Sequence, residues 1–181
     1  AIGLGREIDC DQPEIVLRAR RAGEATYLFA INDRRGFGTY VGRHGLVMEN
    51  GLPSSGTLTF LQNPPRHVYD LVAGVEVPVG DGHRLPITLG SCDGRLLMGL
   101  PRAIAGVTVA VPGSAKPGTR VALDLSVNDS EGNPIAAVIP VRIEIRDANG
   151  RLAESSGFHA VENGRLHLDL DLAPNEDPGT W

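Results

Sequence analysis

Three side chains at steps of two, His167, Asp169 and Asp171, form the most suggestive polar row in the chain. Residues two apart in an extended strand share a face, so one imidazole and two carboxylates would project together. Such a face could hold a metal ion or a polar ligand; it is also what an ordinary solvated strand presents. Asp129-Ser-Glu-Gly-Asn-Pro supplies oxygens at the first, third and fifth positions of a calcium loop. The loop chemistry requires glycine at the sixth, where this segment has proline, and the stretch reads as a plain turn. Acyl-transfer chemistry needs a nucleophile, a base and an orienting acid brought together. No Gly-x-Ser-x-Gly occurs, and neither Ser91 nor Ser155 has a distinguishing context. Asp9, Asp11 and Glu14 are close in sequence, as carboxylates for glycoside cleavage would be in space, but sit in an expected linker.

Ligand stacking needs exposed rings, and aromatics make up only 4% of the chain. Gly36-Phe-Gly-Thr-Tyr-Val-Gly brings Phe37 and Tyr40 together among three glycines, a candidate binding loop or a bulged strand. Tyr69 and Trp181 are the other candidate platforms, whereas Tyr27 and Phe29 are assigned to a core strand. Gly3-Leu-Gly5 lacks the third glycine and preceding strand of a dinucleotide fingerprint, and no Gly-Lys-Ser/Thr follows the glycines near 36. No cofactor is expected. Cys10 and Cys92 permit one disulfide at most and offer no Cys-x-x-Cys pair for zinc.

These residues must be positioned by strands. Twenty-three Gly and thirteen Pro in 181 residues punctuate the chain too often for long helices. Strand candidates are 14–20, 26–32, 57–61, 67–71, 85–89 and 95–100, separated by turn signals every 8–12 residues or so. The 26–32 run is apolar on both faces, the pattern of a central strand covered on both sides. Pro112-Gly-Ser-Ala-Lys-Pro-Gly is the strongest punctuation. After it, Val121–Leu123–Leu125–Val127, Val141–Ile143–Ile145 and Leu166–Leu168–Leu170–Leu172 alternate strictly with other residues. Asp147-Ala-Asn-Gly suits a type I turn with glycine in the left-handed position, a loop that sets Asp147 opposite Arg151 and Ile145 opposite Ala153. Leu152 then shares the wet face with Arg146.

Two resemblances are carried by particular motifs. Glu24-Ala-Thr-Tyr-Leu-Phe-Ala-Ile-Asn-Asp, Val68-Tyr-Asp-Leu-Val-Ala-Gly-Val-Glu-Val-Pro and Gly94-Arg-Leu-Leu-Met-Gly-Leu-Pro together resemble the C-terminal β-sandwich of many glycoside hydrolases. That resemblance covers roughly 11–102 and implies an accessory module without catalytic carboxylates. The Asp129-x-x-Gly-x-Pro turn, the Val141–Gly150 hairpin and Pro178-Gly-Thr-Trp resemble an immunoglobulin-like or macroglobulin-type domain. There the closing motif leads into the final strand, so the second domain is expected to lack its last strand and the chain to be a fragment.

The expectation is therefore an all-β chain of two tandem antiparallel β-sandwiches: a linker at 1–10, an accessory sandwich at 11–106, a linker with the first strand of the next domain at 107–118, and an immunoglobulin-like sandwich at 119–181. A net charge of −5 argues against nucleic acid, and no apolar run is long enough for a membrane span. The expected role is non-catalytic spacing and contact in a larger extracytoplasmic or cell-surface protein. Its partners would be other domains of that protein or another protein. The alternative is a carbohydrate-binding accessory domain of a glycoside hydrolase. Candidate ligand residues are Phe37 and Tyr40; candidate metal residues are His167, Asp169 and Asp171.

Overall fold

A computed structural model describes residues 6–41 and 47–181, with backbone alone at 38–41 and 47–48. The described chain is all-β and antiparallel, and it divides into two compact units, Ala1–Pro101 and Arg102–Trp181.

In the first unit β1 (Ile8–Cys10), β6 (Ser54–Phe60) and β9 (Arg84–Leu89) form one sheet. The other contains β2 (Ile15–Ala22), β3 (Ala25–Asn32), β10 (Gly94–Leu100), β7 (His67–Asp70) and β8 (Val75–Val77), in that order. Period-2 alternation gives each sheet an apolar face: Leu85, Ile87 and Leu89 are buried on β9 while Arg84, Pro86 and Thr88 are exposed. Leu58 and Phe60 from one sheet share a core cluster with Ile15, Leu28, Ala30, Val68 and Leu97 from the other, which makes the unit a sandwich. Pro86 lies on an edge strand, where a missing N–H costs no ladder bond. A separate hairpin, β4 (Arg35–Val41) with β5 (Val47–Gly51), has an irregular register between Phe37 and Val41.

Three expectations need correction here. The expected linker at 1–10 ends in a strand, because Ile8–Cys10 pairs with Leu58–Phe60 and its side chains pack on the core. The units divide between Pro101 and Arg102, a few residues before the expected position, and β11 (Gly106–Ala110) is the expected first strand of the second unit. β3 is central in its sheet but not covered on both sides: Leu28 and Ala30 are buried, while Phe29 and Ile31 are 39% and 55% exposed. Phe29 is thus a surface ring.

In the second unit β11, β12 (Arg120–Asn128), β15 (Arg165–Asp171), β14 (Gly157–Glu162) and β13 (Val138–Ile143) form one antiparallel sheet in that order. β15 and β14 are joined in the ladder by a single pair, Glu162↔Arg165, across the Asn163-Gly164 turn. β14 then departs from β15 to pair along its length with β13. Leu123, Leu125 and Val127 are buried, as are Ile135, Ile139, Ile143 and Val161. The hairpin after β13 has the expected register: Asp147 N–H donates to Arg151 O, Ala153 N–H donates to Ile145 O, and Gly150 has φ 76°. Leu152 stands opposite Arg146 and is exposed, as that register requires.

Among the described residues the Ser54 hydroxyl is buried without a hydrogen-bond partner. An unmade hydrogen bond of this kind costs about 1–3 kcal/mol. Ser54→Ala is therefore expected to raise unfolding stability by about 1 kcal/mol, read as an upward shift of the urea midpoint at constant slope. A comparable loss of stability would show that the hydroxyl has a partner in solution.

Candidate functional site

Apart from Ser54, the buried polar side chains of the described residues, Asn32, Asp70 and Asp129, are held by backbone of nearby turns. Asn32 Nδ2 donates to Leu52 O (2.7 Å) and Gly90 O (2.6 Å), tying two loops to the end of β3. Asp70 accepts from Val72 N–H and Ala73 N–H, and from Arg95 Nη1 at 2.9 Å. Asp129 accepts from the amides of Glu131 and Asn133 and from the Arg102 guanidinium. This is the plain turn expected from the proline at its sixth position. Asp147 repeats the device in the hairpin, taking Asn149 N–H, Arg151 N–H and Arg151 Nε. The motifs that carry the two resemblances, Asn32, Asp70, Asp129 and Asp147, are thus turn organisers.

Their ionisation follows. At Asp129 and Asp147 burial pushes the carboxyl upward, but the amide donors and the paired arginine outweigh it and hold each below the ordinary carboxylate value. Asp171 is lowered chiefly by its hydrogen bond from Arg120. A carboxylate depressed in the folded state contributes stability above its unfolded value, which is lost as pH falls through the folded value. The second unit is therefore expected to lose thermal stability progressively below about pH 4. A melting temperature unchanged from pH 5 to pH 2 would contradict this origin of its stability.

The three candidate metal residues do share one face of β15. His167 Nδ1 is 2.7 Å from Asp124 Oδ1, and its Nε2 is 3.4 Å from Asp169 Oδ1. Arg120 takes both oxygens of Asp171 through Nε (2.7 Å) and Nη2 (3.2 Å), with Asp169 Oδ2 at 3.7 Å from Nη1. The hydrogen bond with Asp124 raises the His167 pKa, which favours imidazolium. The row is a cross-strand ladder of alternating charge, in which a cation would compete with Arg120 for the carboxylates.

Phe37 projects from β4 at 85% exposure, opposite Glu49, whose carboxylate pairs with Arg35. Tyr40 belongs to β4, but its side chain lies outside the described residues. Asp9, Asp11 and Glu14 are not gathered into a pair: Asp9 meets Arg6, Asp11 accepts Thr57 N–H, and Glu14 meets Arg34. Cys10 and Cys92 are both free thiols.

No family model, curated protein or solved structure matches the chain.

Local sequence reasoning missed two open surfaces. Val16, Phe29 and Ile31 crop out on the outer face of β2 and β3, with Val16 directly opposite Ile31 and Arg18 opposite Phe29. In the second unit Val107 and Val109 face the same side as buried Val127 and Leu125, yet are half exposed. Register would have revealed the first surface; the second lies on β11, the edge strand of its sheet.

Proposed function

We propose that the chain is a non-catalytic pair of β-sandwich modules that spaces and makes contacts within a larger extracytoplasmic or cell-surface protein. The first module would be of the glycoside-hydrolase accessory type and the second immunoglobulin-like. The observation that carries this reading is the use of the polar residues. Asn32, Asp70, Asp129 and Asp147 each bind the backbone of a turn, and the polar row on β15 is a ladder of ion pairs. What the units offer to a partner is apolar sheet surface and open strand edge, the equipment of a contact module.

The second reading, glycan binding, is supported by Phe29 and Phe37, two rings exposed on the first unit. A thermal-shift plate of oligosaccharides with calcium and chelator wells separates the two. A ligand at 100 times its dissociation constant adds about 2.7 kcal/mol, a shift of several degrees. The contact-module reading expects no shift with any sugar. A shift with one sugar that is lost in Phe29→Ala or Phe37→Ala would replace it with glycan binding.

A further inference from the structure

The departure of β14 leaves one edge of β15 without a partner strand. Leu172 N–H donates to Thr119 O and Val127 N–H donates to Gly164 O, both in the register that pairs Arg120 with Asp171. Even-numbered residues of β15 therefore exchange hydrogen bonds with β12. In an antiparallel ladder the alternate residues point their N–H and C=O groups the other way. Arg165 uses that side for its pair with Glu162. His167, Asp169 and Asp171 have no backbone partner there among the described residues. This edge opens on a cavity of about 640 Å³, bounded by β15 and by the hairpin from Ile145 to Ser155. Ile145, Leu170, Leu172 and Trp181 contribute the apolar part of a mainly polar lining.

The charge of the cavity is one-sided. Asp147, Glu154, Asp169, Asp171 and Glu176 line it, against one basic residue, Arg151. Arg151 is taken by Asp147, and Arg120 serves Asp171 from the flank. Glu154 and Glu176 form no ion pair within 4.0 Å with a described residue, Glu176 meeting Arg151 only at longer range. An uncharged apolar strand would leave those carboxylates uncompensated beside it, and a second copy of β15 would bring more acid.

We propose that the open edge of β15 accepts an extended polypeptide segment whose basic residues alternate with apolar ones. The segment adds as a strand to His167, Asp169 and Asp171. Its apolar side chains enter the lining of Ile145, Leu170, Leu172 and Trp181, and its basic side chains meet Glu154 and Glu176. Main-chain bonds supply attachment and alternate side chains supply selection. This names the partner chemistry of the contact module and rests on that reading.

The test uses the intact chain and a seven-residue peptide alternating lysine and valine, with a glutamate–valine peptide as comparison. Nuclear magnetic resonance titration is expected to move the amides of His167, Asp169 and Asp171 with the basic peptide. The acidic peptide should bind at least tenfold more weakly. Asp169→Pro removes an outward N–H and fills the edge while sparing the bonds to β12; it is expected to abolish binding, whereas Asp169→Asn retains it. Glu154→Lys with Glu176→Lys should weaken binding at least tenfold. Retained circular dichroism and thermal transition certify the fold of each variant. Equal binding of both peptides, binding by Asp169→Pro at full strength, or shifts confined to Val107–Val109 would overturn the proposal. Concentration-dependent self-association through this edge, without peptide binding, would replace the partner segment by a second copy. None of these outcomes bears on sugar binding by the first unit, so failure here is distinguishable from failure of the contact-module reading.

Discussion

Replacing Gly164 by alanine is expected to unfold much of the second unit while leaving the first intact. Gly164 sits at φ 69° after Asn163 at φ 52°, the pair of left-handed residues that a two-residue type I′ turn requires. That turn carries the only ladder pair joining β14 to β15 among the described residues. A Cβ at Gly164 would lie 2.6 Å from Ile135 N and 2.8 Å from Ile135 O. These are backbone atoms of a fully buried residue and cannot swing aside. Left-handed strain alone costs about 1–2 kcal/mol, and the backbone collision brings the expected loss to about 3 kcal/mol or more, a large share of a small domain's stability. Gly132 supplies the control, because it has φ 81° but open space around its Cβ position. Gly132→Ala should cost only the conformational part. Equal losses in the two variants, followed by urea unfolding, would show that the approach to Ile135 does not matter.

Asp70→Ala has the second largest expected effect, about 3 kcal/mol from the first unit. The carboxylate is 3% exposed and holds three donors: the amides of Val72 and Ala73 and the guanidinium of Arg95. Its carbonyl also takes Gly74 N–H, and Gly74 turns the chain at φ 68°. Removing the side chain strands Arg95 and releases the turn between β7 and β8. Asp70→Asn keeps an acceptor for the amides and should cost clearly less. The check is the unfolding midpoint of the two variants side by side. A loss below about 0.5 kcal/mol in Asp70→Ala would mean that water replaces the carboxylate without penalty.

Strand positions were legible where alternation was strict. Arg120–Asn128 and Arg84–Leu89 show their buried faces, and Arg165–Asp171 its half-buried face, directly in the chain. The Asp147–Arg151 register was legible because glycine at the left-handed position selects the loop length. β14 was not: Phe158, its largest apolar residue, is 79% exposed opposite Arg142, so its apolar pattern points the wrong way. β1 was missed because three residues are too short for a period. Phe29 was placed inside because an apolar run does not say whether anything covers the second face. Of the candidate site residues, His167, Asp169 and Asp171 were correctly placed on one face. Their neighbours Arg120 and Asp124 lie more than forty residues away and enter only through β12. The open edge depends on strand departure, a property of the sheet that no local pattern encodes.

The most direct measurement is residue-resolved amide hydrogen exchange along β15 in the free, intact protein. An unpartnered edge predicts alternation: Leu166, Leu168 and Leu170, bonded to β12, should exchange about a thousandfold more slowly than His167, Asp169 and Asp171. Uniform slow exchange from 166 to 171 would mean that the edge is already closed in solution, and would contradict the account of this unit as a contact module with an open strand.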